Sequence, residues 1–296
     1  MRIAFTSDLH VDITRPNKEL VPRLAEALAA LEPQVFVLLG DVAPSLEVLG
    51  ETLSALSSLP CTKLFVAGNH DVWSLGREAK REGETLEKYE SQIPSLCRSH
   101  GFLDLHQEAV TVNGCLFTGT MGWFDYSLRN ASLDRQITQE DYEAGLWRNL
   151  RWNDFIYTDW SGIPPVQNFR KTARGVHPAH VTQWMVQSLR EKLALHRGAP
   201  QTPTVVASHF LPVKDILRYS HEPHLDFSCA FLGSEAFGEV IRDFPSIRYW
   251  LFGHIHRKVS LIWRGVNLMS SPVGYLRGLS PDLNEVAREA ISLIEI

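Results

Sequence analysis

Ile3-Ala4-Phe5-Thr6-Ser7-Asp8-Leu9-His10 is a short apolar run that stops on a carboxylate and an imidazole. Four more stretches repeat the plan. Val35–Leu39 leads into Gly40-Asp41, and Leu64–Ala67 into Gly68-Asn69-His70-Asp71. Thr204–Ala207 leads into Ser208-His209, and Tyr249–Phe252 into Gly253-His254-Ile255-His256. Each run is strand-length and nearly continuous in hydrophobicity, as expected of strands buried on both faces.

Segments of helical period lie between the early runs. Leu20, Leu24, Leu28 and Leu31 form one stripe, with Asn17 as the expected N-cap, and Leu46, Leu49, Leu53 and Leu56 form another. Strands alternating with helices predict right-handed parallel crossovers and an α/β sheet. Val110–Val112, Asn113-Gly114 and Cys115–Thr118 read as a hairpin with a type I′ turn. A second hairpin is expected over Val259–Met269 around Gly265, a helix from about Pro178 to His196, and a last strand over Ala290–Ile296. Antiparallel pairs beside a parallel core suggest a mixed sheet or a two-sheet sandwich with outer helices. Residues 123–177 break the pattern, mixing Trp, Phe and Tyr with Asp and Arg. They read as an insertion, within one domain spanning 1–296, that covers the sheet edge or the site.

In an open α/β sheet the carboxyl ends of the strands line the crevice where ligands bind. Five strands here would bring Asp, Asn and His to one edge, and Gly40, Gly68 and Gly253 would let the backbone turn beside it. Imidazole mixed with carboxylate suits divalent transition metals, whereas a Mg or Ca site would be nearly all oxygen. A bridging carboxylate can hold two ions ~3.5–4 Å apart, the spacing of two-metal hydrolases. Each short motif alone has an ordinary structural reading: Asp capping a turn, a surface histidine, a histidine satisfied in the core. Their shared placement at strand ends is what favours a metal centre.

Taken in order, Asp8-x-His10, Gly40-Asp41, Gly68-Asn69-His70-Asp71, His209 and Gly253-His254-x-His256 resemble the calcineurin-like metallophosphoesterase superfamily. The resemblance spans residues 8 to 256 and implies a four-layer α/β/β/α sandwich with a dinuclear site at its top. It implies that Asp8, His10 and His256 bind one ion, that Asn69, His209 and His254 bind the other, and that Asp41 bridges them. His70 would be the general acid, or would orient the phosphate, and Asp71 would set the tautomer of His70. Manganese is the first expectation for both ions, with iron, zinc or nickel as alternatives. The protein Ser/Thr phosphatases of this superfamily resemble Gly-Asp-x-x-Asp-Arg-Gly at the second motif. Here that stretch reads Gly40-Asp41-Val42-Ala43-Pro44-Ser45, without the phosphate-binding Arg. The Gly-Asn-His-Asp form is similar to bacterial phosphodiesterases and to repair nucleases. Repair nucleases usually carry further DNA-binding parts. The expectation is a phosphodiesterase acting on a small nucleotide-like substrate. Nucleotide pyrophosphatase, phosphomonoesterase and nuclease are the alternatives, and a non-catalytic binding scaffold is the competing class.

Bulk properties bound the rest. The chain has 296 residues, 44% hydrophobic and 21% charged, enough for a sizeable core. A net charge of −5 gives no global reason to expect nucleic-acid or membrane binding. Cys61, Cys97, Cys115 and Cys229 lack C-x-x-C spacing and read as reduced thiols. No window reaches the ~18 apolar residues of a membrane span, and the first residues lack a secretory signal's apolar stretch. A cytoplasmic protein is expected. His221 and His224 read as a surface loop near the site, and Arg77, Lys80 and Arg81 with Glu78, Glu82 and Glu84 as a solvated helix face.

Overall fold

The computed structural model describes residues 1–74, 84–166, 171–172 (backbone only), 175–196, 202–278 and 281–296. The first sheet holds β1 (Arg2–Thr6), β2 (Val35–Leu38), β3 (Thr62–Phe65) and β4 (Phe102–Asp104), all parallel. The second sheet starts with the hairpin β5 (Val110–Val112) and β6 (Cys115–Gly119). Two small ribbons follow outside it, β7 (Leu146–Trp147) with β8 (Leu150–Arg151) and β9 (Lys171–Thr172) with β10 (Gly175–Val176). β11 (Thr204–Ala207), β12 (Ile247–Phe252), β13 (Val259–Trp263) and β14 (Val266–Ser270) complete the second sheet. β15 (Ser292–Glu295) returns to the first, antiparallel to β1. The strand orders are β15-β1-β2-β3-β4 and β13-β14-β12-β11-β6-β5.

Strand side chains alternate between two cores because successive residues point to opposite faces. Ile3, Phe5, Val35, Val37 and Leu64 meet Phe117, Val205 and Leu251 between the sheets. Ala4, Phe36, Leu38 and Phe65 pack the other way, with Leu24 and Leu28 of the helix Arg15–Leu31 and Leu49 and Leu53 of the helix Leu46–Leu56. The helices Pro178–Leu195 and Ala236–Asp243 pack on one another, and the first of them lies against β6. The result is the four-layer α/β/β/α sandwich with mixed sheets.

Some local expectations shift. The first long helix is capped by Thr14, whose side chain accepts from the Asn17 amide, and not by Asn17. Asn17 is instead buried inside the first turn, and its Nδ2 donates to the carbonyls of Leu9 and Gly274. The expected hairpin turns form, with positive φ at Asn113 and Gly114 and at Arg264 and Gly265. The 123–177 segment does more than cover an edge. Trp123, Phe124, Tyr126, Tyr142, Trp147 and Trp160 are buried in the same cluster as the outer helices. Of the expected solvated helix face, Arg77, Glu78, Lys80, Arg81 and Glu82 lie outside the described residues; Glu84 begins the short helix Glu84–Glu87. Among the described residues no helix is long and apolar enough to cross a membrane.

Candidate metal centre

Register decides where the ligands fall. Thr6 pairs with Leu38 and Leu38 with Phe65, so β1, β2 and β3 end level with one another. Ala207 pairs with Leu251 in the second sheet. The loops leaving these ends are laced together: Asp8 N–H donates to Gly40 O, His10 N–H to Asp41 O, and Gly253 N–H to His209 O. Side-chain bonds also cross from one sheet to the other beside these ligands. His254 N–H donates to the Asp8 carboxylate at 3.1 Å, and His209 Nδ1 donates to Leu39 O at 2.7 Å.

The seven expected ligands come together at this seam. Asp8, His10, Asp41 and His256 form one group whose donor atoms lie within 4.8 Å of each other, and Asp41, His209 and His254 form a second. Asp41 belongs to both, and its Oδ2 lies 3.7 Å from His10 Nε2 and 3.3 Å from His209 Nε2. His256 Nε2 is 3.3 Å from Asp8 Oδ1, and the Nε2 atoms of His10 and His256 are 2.9 Å apart. Asn69 sits on the loop after β3. Its Oδ1 is buried with no hydrogen-bond partner, as are His209 Nε2 and His254 Nε2. Buried polar atoms are almost always bonded, so three such orphans at one spot mark a place built for an absent partner. With Nδ1 of His209 committed to a carbonyl, its Nε2 lone pair is the free one, the usual arrangement of a metal-ligating histidine. The donor set therefore fits two divalent cations.

The local electrostatics favour cations as well. Burial raises the Asp41 carboxyl, but His209 and His70 outweigh it and hold Asp41 well below the ordinary carboxylate range. Burial likewise opposes ionisation of Asp8, which His256 and His209 nonetheless pull down. Burial pushes His10 down to about 4 and His254 to about 3, leaving both neutral with lone pairs to offer. His209 goes the other way, to about 9, because Asp41 overcomes its burial, so a cation at Nε2 would take the place of the proton that Asp41 otherwise holds there. Five of the seven ligands (Asp8, His10, Asp41, His254 and His256) also have left-handed backbone, which non-glycine residues rarely adopt.

His70 lies at the mouth of the centre. Its Nε2 is 3.9 Å from Asp41 Oδ2, and its backbone N–H donates to Asp41 Oδ1 at 2.9 Å. Trp73 stacks on its ring at 3.7 Å. The expected link from Asp71 to the His70 ring is replaced by another role. Asp71 is fully buried, and its oxygens accept from the N–H groups of Asp41, Val42, Ala43 and Gly68 at 2.8–3.0 Å. It therefore braces the Asp41 loop against the Asn69 loop. Burial and the Asp41 charge push it up to about 7, against the pull of those amides.

A cleft of about 470 Å³ opens onto the centre, lined by Asp41, Asn69, His70, His254 and His256 and by several groups that sequence patterns do not reveal. Arg151, Trp152, Asn153 and Asp154 come from the aromatic segment, and Tyr275 and Arg277 from the loop after β14. Tyr275 lies 4.6 Å from both the His10 and His256 rings. Asp154 accepts from Asn69 Nδ2 at 3.0 Å, a contact across 85 residues that no local spacing signals. His221 and His224 are exposed and do not line this cleft.

A family model for the calcineurin-like phosphoesterases matches residues 1–258. Over 104 residues the chain is 30% identical to the 3',5'-cyclic adenosine monophosphate phosphodiesterase CpdA of Escherichia coli K12. That stretch is 33% of this chain and 32% of the relative, so the chain matches about a third of the length of this curated relative. Among solved structures, phosphopantetheinyl hydrolase (PptH) from Mycobacterium tuberculosis is similar at a TM-score of 0.67 and 19% identity, covering 92% of this chain and 89% of that one. A dimetal phosphatase from Danio rerio (LOC 393393) gives 0.55 at 14% identity, covering 91% and 86%. Both likenesses concern the fold. With the match running through every strand end that carries a ligand, the chain belongs to the calcineurin-like phosphoesterase family.

Proposed function

We propose that the protein is a metal-dependent phosphodiesterase acting on a small, nucleotide-like substrate. The observation that carries this is the sharing of Asp41 between two ligand groups, beside three orphaned donor atoms. Two divalent cations bound there supply an activated water and positive charge against the phosphoryl oxygens. Asp8, His10 and His256 would hold one, Asn69, His209 and His254 the other, and Asp41 would serve both.

The chain's own groups do the rest. His70, fixed by Trp73 and by its backbone bond to Asp41, stands where its Nε2 can give a proton to the departing oxygen. Asp71 keeps the Asp41 and Asn69 loops at a fixed separation, so the ligands need no rearrangement on binding. A diester carries one negative charge and two organic arms. The exposed Arg151 and Arg277 offer charge at the cleft, and Trp152 and Tyr275 offer faces for a base or sugar. The cyclic-nucleotide activity in the name of the Escherichia coli relative supports a nucleotide-like substrate.

The test is hydrolysis of bis-p-nitrophenyl phosphate with added Mn²⁺, set against p-nitrophenyl phosphate and a chelator control. Diester turnover that exceeds monoester turnover and vanishes on chelation is the expected result. Faster monoester cleavage would reject the diester preference, and no turnover with any divalent metal would reject catalysis. A panel of 3',5'-cyclic nucleotides, dinucleotides, a phosphopantetheinyl ester and single-stranded DNA then ranks the substrates.

A further inference from the structure

Asp154 belongs to the aromatic segment, far in sequence from every strand-end motif. Its carboxylate is fully buried and takes three side-chain donors. Oδ1 accepts from Asn69 Nδ2 at 3.0 Å and from Trp73 Nε1 at 2.6 Å, and Oδ2 accepts from Trp152 Nε1 at 2.7 Å. It opens the short helix Asp154–Tyr157, and Tyr157 O accepts from Ser74 N–H at 2.8 Å. The helix is thus tied directly to the loop that carries Asn69 and His70.

We propose that Asp154 is a positioning residue for the second cation site, acting through the Asn69 amide. An asparagine amide offers a donor end and an acceptor end of nearly equal size, and only its neighbours decide which way it faces. Both Asp154 oxygens already accept from indole N–H groups, which can only donate, so the carboxylate presents acceptors here. Beside Asp154 the Asn69 NH₂ must therefore turn toward the carboxylate, and Oδ1 is left as the free, buried, unbonded end. That is the end a hard cation takes. Through Trp73 the same carboxylate also seats the ring stacked on His70, so one side chain of the aromatic segment sets both a ligand and the proton donor.

The proposal rests on the two-cation reading, and Mn²⁺ binding separates the two. Calorimetric titration of the full chain, followed by electron paramagnetic resonance, counts the equivalents and reports whether they are spin-coupled. Wild type is expected to take two equivalents with a coupled signal. If it takes one, the two-cation reading fails. Asp154→Asn, nearly the same size, and Asp154→Ala should each weaken the second equivalent about 10- to 100-fold, the usual range for groups that orient a ligand. The first equivalent should be unchanged, which also shows that the chain is folded, and the coupled signal should give way to that of isolated Mn²⁺. In an Asn69→Ala background, Asp154→Asn should add no further loss, because the residue works through that amide. Two tight, coupled equivalents in Asp154→Asn would overturn the proposal. So would losses from the two substitutions that simply add.

Discussion

His70 can be separated from the ligands by substitution. Its ring is held by stacking and by its own backbone, and none of its atoms belongs to either ligand group. His70→Ala should therefore keep both cations yet slow hydrolysis of esters with poor leaving groups by roughly 10²- to 10⁴-fold. Esters of p-nitrophenol, which need little protonation, should lose far less. Metal analysis beside rates on the two ester types checks this, and equal losses on both would contradict the role. At this scale the sequence was readable where residue type alone limits the chemistry. Asp8, His10, Asp41, Asn69, His209, His254 and His256 all reach the seam. Asp71 was readable as important but not in its partners, because four backbone amides from two loops leave no mark on side-chain spacing. Asp154 left no trace, since its contact to Asn69 exists only once the aromatic segment has folded over the loop.

Among the elements, the loops after β2 and β3 approach so closely that side chains are excluded between them. A Cβ on Gly40 would run into the Gly68 backbone, and one on Gly68 would run into the Asp41 carboxylate and lie 2.5 Å from the Asp41 amide nitrogen. Gly68→Ala is therefore expected to push Asp41 off both ligand groups. Binding of both cations should fall by at least about tenfold and activity with it, while far-ultraviolet circular dichroism of the sandwich is kept. Unaltered affinity for both ions would show that the loops have slack. The strands were legible because runs such as Val35–Leu38 are apolar on both faces, as burial between two cores demands. β4 was not, because three residues carry too little pattern. Thr14 rather than Asn17 caps the first long helix because Asn17 is drawn inward to the Leu9 and Gly274 carbonyls, partners that lie outside any local window.

Across the whole molecule, Lys192 links the two sheets at their carboxyl ends. Its ammonium donates to Leu105 O and His106 O, just past β4, and to Gly119 O at the end of β6, at 2.5–2.8 Å. Burial nevertheless pushes it down to about 8 from its ordinary 10.5, against the attraction of Asp104 and Glu90. The unfolded chain thus binds more protons than the native one between pH 8 and 10.5, so this residue's contribution to stability rises through that window and is lost as pH falls through 8. The swing is at most about 3 kcal/mol, less for the part of the side chain that water reaches. Urea unfolding of wild type and Lys192→Met across pH 7–10.5 should show the wild type gaining on the variant as pH rises. Parallel curves would rule this out.

The ligands themselves are divided between the two sheets. Asp8, His10, Asp41 and Asn69 follow strands of the first, and His209, His254 and His256 follow strands of the second. A pair of cations held there would be a rivet through both plates, and prising the plates apart would eject it. Loaded protein should melt at a temperature that climbs with free Mn²⁺, each ion adding the ~2.7 kcal/mol of stability expected at a hundredfold excess over its dissociation constant. Stripping with a chelator should return the melting point to that of the bare chain; a melting point indifferent to metal would mean that the seam opens without disturbing the ions.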